Sequence, residues 1–287
     1  MCDFNFNDYD ETTHGHRFAA WAASREVKIL GGAQKVGEII KNARDCLEDN
    51  GWENLSEFDD NQFGAWFNQM REYIIEEFND ITPQKADTLI DKYAFERLSE
   101  PDRHRFACRA AFKAANVYGG IPGFDIPMAR EIIEAAKLNE DVANAGNNLP
   151  NTYRNFNEWH RKKRQYVILY YQSHVEDNGD FTHGRAAKLI NVYLKTWFSE
   201  MGERARRVVH PPVDKTLLEY VRYKLILDGI EGCPMKDHPE VQCLLEGGTQ
   251  PWTNLNSIKY QEIIDAFFYL TQGHDLWKIE KYWPGHQ

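Results

Sequence analysis

The chain has no cysteine pair at C-x-x-C spacing and no H-E-x-x-H stretch. Its five cysteines, Cys2, Cys46, Cys108, Cys233 and Cys243, are an odd and scattered set, which excludes a disulfide framework or a zinc ribbon as the organising device. The histidines are scattered too. His160, His174, His183 and His210 are the ones that folding has to gather if they are to act together, and no metal site is expected from them. Long apolar runs are also missing: the longest covers only Tyr166 to Tyr171, far short of the roughly twenty residues that span a bilayer. Residues 1–13 are acidic and aromatic, without the basic and apolar regions of a secretion signal, so a cytoplasmic location and no membrane partner are expected. Nowhere is apolar–polar alternation sustained, which leaves little room for a sheet.

An excess of positive charge is absent as well. The formal net charge is −10, the wrong sign for a surface that meets phosphates, but its distribution is uneven. Between Asn151 and Lys224 fourteen basic residues stand against eight acidic ones, so this segment is basic within an otherwise strongly acidic chain. With 42% hydrophobic and 13% aromatic residues, the length suffices for one large domain or two smaller ones, each with its own core.

What is present is helical periodicity. Apolar residues recur at i, i+3, i+4 over 16–27, 33–48, 61–78, 83–93, 101–117, 127–138, 156–174, 184–198, 214–227 and 260–270, which predicts an all-α fold. Pro83, Pro101 and Pro127 stand where helices should start, and Gly31-Gly32, Gly119-Gly120 and Gly247-Gly248 fall between segments.

The chain also repeats itself. His16 to Gly32 (HRFAAWAASREVKILGG) and His104 to Gly120 (HRFACRAAFKAANVYGG) agree at eight of seventeen positions. Further on, Phe63-x-x-Trp66 pairs with Phe156-x-x-Trp159, Arg71-x-Tyr73 with Arg164-x-Tyr166, and Thr82, Ala86, Leu89-Ile90 and Tyr93 with Thr182, Ala186, Leu189-Ile190 and Tyr193. Two helical halves from an internal duplication, with a cleft between them, are therefore expected. The expected organisation is an arm at 1–15, a first repeat with its linker at 16–150, the Asn-rich 137–151 being the linker or long loop between halves, and a second half at 151–287 that includes the C-terminal helices. Positions shared by both copies, such as Phe18, Leu89, Ile90 and Tyr93, read as core, because both copies must bury the same helix faces. Residues special to the second copy are candidates for chemistry. Gly184 and Lys188 stand where the first copy has Gln84 and Thr88.

These residues lie in the stretch FTHGRAAKLINVYLKTWFSEMGERARRVVHPPVD, from Phe181 to Asp214. It reads as a tight turn at Thr182-His183-Gly184, a helix carrying Arg185, Lys188 and Lys195, a basic loop with Arg204, Arg206 and Arg207, and an aspartate behind two prolines. A glycine-containing turn at a helix start presents backbone N–H groups to a phosphate, directly or through a bound cation. The bland alternatives stand beside each residue: Asp214 as the N-cap of the next helix, Lys188 as a solvated helical lysine, and Arg161 to Arg164 as a solvated charged face.

The stretch resembles the signature of the helix-hairpin-helix DNA glycosylases, in particular the 8-oxoguanine glycosylase branch. Gly184-Arg185-Ala186-Ala187-Lys188 is similar to that branch's Gly-x-Gly-x-Lys hairpin, with Ala186 in place of the second glycine, and Pro212-Val213-Asp214 is similar to its Pro-Val-Asp segment. The resemblance implies an enzyme that flips a modified base out of double-stranded DNA and excises it. The base is an oxidised purine or a bulky phage-type modified cytosine, and the enzyme leaves an abasic site or cleaves it as a lyase. It implies Asp214 as the carboxylate stabilising the sugar cation and Lys188 as the attacking amine. His183, Gly184, Arg185, Lys195, Arg204, Arg206 and Arg207 are then the DNA contacts. Trp21, Trp197, Phe267, Phe268 and Trp277 are the candidates for stacking on the base. No cofactor or protein partner is expected beyond a monovalent cation that the hairpin can hold. The alternative is a non-catalytic helical module that binds DNA or protein.

Overall fold

The computed structural model describes residues 4, 6, 9–27, 32–45, 58–78, 81–116, 121–175, 181–228, 238–246, 251–273 and 275–283. The described residues form helices and turns with no strand among them, so the chain is all-α. No helix among them is long and apolar enough to cross a membrane.

Two compact units divide the chain, one of Thr12–Phe106 and the other of Ala107–Trp283 together with Met1–Glu11. The first holds α1 (Glu11–Glu26), α2 (Gly32–Asp45), α3 (Asp60–Glu77) and α4 (Pro83–Tyr93), and α5 (Glu100–Ala115) runs across the division. Ile39, Ile40, Trp66, Met70, Leu89 and Ile90 make its core. Local chemistry sets the helix starts. Asp59 caps α3 in a reciprocal capping box with Gln62, and Thr82 caps α4 from its hydroxyl, with Pro83 at the first helical position, where its missing N–H costs nothing.

The larger unit continues with α6 (Ile126–Ala135), α7 (Leu138–Gly146), α8 (Tyr153–His174), α9 (His183–Lys195), the single turn α10 (Glu203–Arg206), α11 (Lys215–Asp228), α12 (Pro239–Glu246) and α13 (Ser257–Leu270). Trp252–Asn254 and Leu276–Tyr282 are 3-10 turns. Leu217, Val221, Leu225, Val241, Phe267 and Leu276 form one core that also takes in Ala187 of α9 and Trp252.

Helix starts in the two repeat copies coincide to within one residue. Copy one supplies α1 to α4, and copy two supplies α5, α6, α8 and α9 at the paired positions, with α7 inserted. Thr82 and Thr182 each accept a backbone N–H three residues on, at 3.3 Å in both cases. Phe63 stacks on Trp66 at 5.6 Å between ring centroids, and Phe156 lies 5.0 Å from Trp159. The positions assigned to core are buried in both copies.

Three expectations are corrected. The segment 137–151, expected as a linker, contains α7, whose last turn is broken where Asn144 and Ala145 take positive φ. It packs on α9 while α6 packs on α8, so 107–150 joins the second unit and the division falls inside α5 rather than at 150. The basic loop carrying Arg204 to Arg207 is wound into α10. Polar composition suggested linker at 137–151, whereas Leu138 and Val142, one turn apart and buried, hold the helix in place.

Gly184 is the tightest point in the unit. Its N–H donates to the Leu255 carbonyl at 3.2 Å, the Thr182 hydroxyl donates to the Thr253 carbonyl, and an added Cβ would sit inside the van der Waals sphere of the Trp252 carbonyl oxygen. Only a residue without a side chain lets α9 approach this turn. Gly184→Ala should therefore destabilise the protein by about 3 kcal/mol, the scale of an overpacked backbone contact, as read by urea unfolding. A change within about 0.5 kcal/mol would mean that the approach is soft.

Candidate active site

Helix α9 carries the centre of the site. Lys188 follows Gly184 by one turn, so the docking of the helix start on residues 252–255 also brings the Lys188 side chain under Trp252. Its Nζ lies 4.8 Å from the centroid of the Trp252 ring and 5.4 Å from that of Trp283. From the other side comes Asp214, at the end of the extended segment after α10. Its Oδ2 accepts a hydrogen bond from Lys188 Nζ at 2.9 Å, while its Oδ1 accepts the Leu217 N–H at 2.9 Å and so caps α11. One carboxylate thus serves as helix cap and as ion-pair partner. The lysine side chain is 5% exposed and that of the aspartate 14%, so the pair is shielded from bulk solvent with an edge on the carboxylate side.

Seven residues along α9, two turns and the same face, Lys195 pairs with Glu280 of the C-terminal turn, and both are buried. Burial pushes the Glu280 carboxyl above the usual carboxylate range. The Lys195 ammonium opposes that shift, and the charges of Asp214 and Lys188 also reach it. Two ammonium and two carboxylate groups therefore form one balanced buried cluster, with each member dependent on its partner.

A neutral layer holds the Asp214 segment in place. Asn191 donates to the Pro211 carbonyl at 3.0 Å and to the Tyr260 hydroxyl at 3.1 Å, and its Oδ1 lies 2.8 Å from His160 Nε2. His210 joins the same layer through Tyr260 at 3.2 Å and Asn157 at 2.7 Å. With Pro211 tied down, Asp214 is held three residues further on. Burial keeps His160 and His210 well below the ordinary imidazole range; beyond burial, each ring also feels the Arg164 charge, and His160 feels His210 as well.

The structure brings together Lys188 and Asp214 and assigns different work to most other expected residues. Gly184, expected to offer its N–H to a phosphate, is buried and has given that N–H to Leu255; the reason for a glycine here is the close backbone approach. Lys195, expected on DNA, is the buried partner of Glu280. Arg206 pairs with Glu11, and Arg207 pairs with Glu203 and lies 3.6 Å from Asp275. Arg204 is exposed, His183 and Arg185 are half-buried, and Arg185 Nη1 donates to the Ala115 carbonyl at 3.4 Å. Of the stacking candidates, Trp197 and Phe267 are core, Trp277 is packed among Tyr9 and Phe198, and Phe268 stacks on Tyr153 at 3.7 Å. Trp21 is buried against Phe18 in the other unit. The aromatic rings that do face the amine, Trp252 and Trp283, went unselected, as did Glu280, Asn191 and Tyr260. Asn191 lies one turn from Lys188 on α9, but no spacing in the sequence ties Trp252, Tyr260, Glu280 or Trp283 to Lys188, because turns and helices far along the chain deliver them.

Compared with family models, with curated proteins and with solved structures, the chain matches none.

Two outcomes test this account of the cluster. Lys195→Met strands the Glu280 carboxylate and should cost about 3–5 kcal/mol, whereas Lys195→Met with Glu280→Met should recover most of that loss in a thermodynamic cycle. Equal losses in both variants would show the pair to be uncoupled. The second outcome concerns pH. Imidazoles depressed in the folded state take up protons on unfolding, so their stabilisation is complete above about pH 6.5 and is lost as pH falls below it. Unfolding at about pH 5 should take up about two protons on His160 and His210 and about one more on His183, whose pKa burial lowers to about 4, and His210→Asn should reduce that uptake by about one. A flat profile below about pH 6.5 would place these rings in water.

Proposed function

We propose that the protein is a DNA glycosylase that removes a modified base, with Lys188 as nucleophile and Asp214 as the carboxylate at the sugar. The observation that carries this reading is the 2.9 Å contact between Lys188 Nζ and Asp214 Oδ2, between groups 26 residues apart in sequence. One sugar can touch both. Base excision generates positive charge on the sugar, and a carboxylate held in a site poor in water stabilises it far better than one in bulk solvent. Lys188 passes its ammonium proton to Asp214, which hands it on to the departing base and is a carboxylate again as charge develops on the sugar; the lone pair of Lys188 bonds to the sugar C1′, and the glycosidic electrons leave with the base. Opening of the sugar ring at its oxygen then yields the Schiff base, and elimination of the 3′ phosphate follows for a lyase. The substrate class, oxidised purine or bulky glucosylated cytosine in double-stranded DNA, and the origin of the two repeat copies by internal duplication belong to the same proposal. Supporting the latter are the coincident helix starts and the matched threonine caps.

A second reading, a non-catalytic helical module with the pair as an internal strut, draws on a specific observation. Gly184, Lys195, Arg206 and Arg207 are all engaged within the protein rather than turned outward as a phosphate-binding row.

The geometry makes Asp214→Asn a clean probe, because asparagine caps a helix as well as aspartate does while removing the charge. The variant keeps the cap but leaves the buried Lys188 ammonium without its carboxylate, so it should stay folded with a loss of about 3 kcal/mol in stability, and should lose base release by about 10²-fold or more on DNA carrying 8-oxoguanine or glucosylated hydroxymethylcytosine. Borohydride should trap the wild type on the cleaved strand and fail to trap Lys188→Gln. Base release without trapping would retain the glycosylase and assign Lys188 to charge stabilisation. Neither release nor trapping on either substrate would favour the module.

A further inference from the structure

Among the described residues, Arg164, on α8, is a buried cation with no anion beside it. Its side chain is 0% exposed, its guanidinium lies 4.0 Å from the centroid of the Tyr260 ring, and none of Nε, Nη1 and Nη2 has a hydrogen-bond partner among the described residues. A guanidinium placed this way is expensive, since a buried charge normally requires both an opposite charge and acceptors for its N–H groups. The cation–π contact with Tyr260 offsets only part of that cost. Nδ1 of His160 and Nδ1 of His183, two rings whose affinity for protons the Arg164 charge lowers, are also buried and without partners. His183 is the first residue of α9, so the positive end of that helix dipole bears on the same region.

The other copy of the repeat shows what is missing. Arg71, paired with Arg164 in the sequence, has its counter-ion: its Nε lies 2.6 Å from Asp87 Oδ1, and both side chains are partly exposed. The second-copy position of Asp87 is Ala187. Where one copy has a salt bridge at the junction of its last two helices, the other has kept the arginine, buried it more deeply and replaced the carboxylate with a methyl group.

We propose that Arg164 is the core of an anion-binding site, in which a free oxyanion of the phosphate class takes the place that the Asp87 carboxylate holds in the first copy. The five N–H groups of the guanidinium and two neighbouring imidazoles suit an ion with several acceptor oxygens better than a halide with none. The half-buried His183 at the start of α9 marks the side from which the ion enters. This site is separate from the Lys188–Asp214 pair and does not depend on what that pair does.

The experiment is thermal unfolding of the full chain against inorganic phosphate, with potassium chloride at matched ionic strength as reference. Wild-type Tm should rise by about 5 °C at a phosphate concentration a hundred times Kd. Arg164→Met removes an unpaired buried charge and should fold at least as well as wild type while losing the phosphate response. Ala187→Asp supplies the carboxylate from within and should lose the response with Arg164 intact. A short DNA duplex at equal phosphate concentration distinguishes the source: a rise with inorganic phosphate alone supports the free ion, and a rise with the duplex alone, lost in Arg164→Met, transfers the ligand to a nucleic-acid phosphate and overturns the free-ion assignment. A wild-type Tm indifferent to phosphate, or a rise of equal size in Arg164→Met, overturns the site.

Discussion

The arrangement around Lys188 depends on how closely α9 can lie against the backbone of residues 252–255. Helix and turn touch at Gly184, where the Trp252 carbonyl occupies the space of a side chain and the Leu255 carbonyl takes the helix's own N–H. From that contact the rest follows by helical geometry. One turn on, Lys188 meets the rings of Trp252 and Trp283, and two turns beyond it Lys195 meets Glu280. A helix held further out by a single methyl group would lift both ammonium groups away from the surfaces that define them.

Several cations of the 151–224 segment are held inside the protein. Lys188 and Lys195 are matched by Asp214 and Glu280, Lys163 lies 2.5 Å from Asp141, and Arg206 is matched by Glu11. The basic character of 151–224 therefore does not translate into a basic surface in proportion to its count. A net charge summed over a segment measures a surface only when its side chains reach water, and here several of the strongest cations are held by carboxylates from distant parts of the chain. Arg164 departs from this pattern: Arg71, which matches it in the other copy, has the Asp87 carboxylate beside it, and the position matching Asp87 is Ala187.

The neutral layer of His160, Asn191, His210 and Tyr260 shows why the two prolines before Asp214 matter. An extended Pro-Pro segment cannot bond to itself as a helix does, so its carbonyls need partners from outside, and Asn191 supplies one to Pro211. Asp214 is then placed from both sides, by that anchored carbonyl and by the N–H of Leu217. Its two oxygens point to different partners, which is how a cap residue also takes part in a charge pair.

Much of the architecture was legible before any coordinates. Helix positions followed from apolar spacing and from Thr82, Thr182, Pro83 and Asp214 at helix starts, because those signals act within one or two turns. Internal comparison of the two copies separates scaffold from specialised residues, and the resemblance to the glycosylase signature singles out Lys188 and Asp214 as amine and carboxylate at one sugar, without indicating the ion pair between them. What escaped the sequence has a common cause. Trp252, Trp283, Glu280 and Tyr260 reach α9 from sixty or more residues away, and no periodicity encodes such distances. Gly184 was recognised as necessary for a different reason from the one the structure shows, since the sequence does not say whether a glycine admits a ligand or another stretch of backbone. The sequence by itself determined where the helices form and which residues the second copy does not share with the first. Tertiary structure alone decided which charges are buried and with whom they pair, because burial and pairing depend on packing between segments that local propensity does not connect.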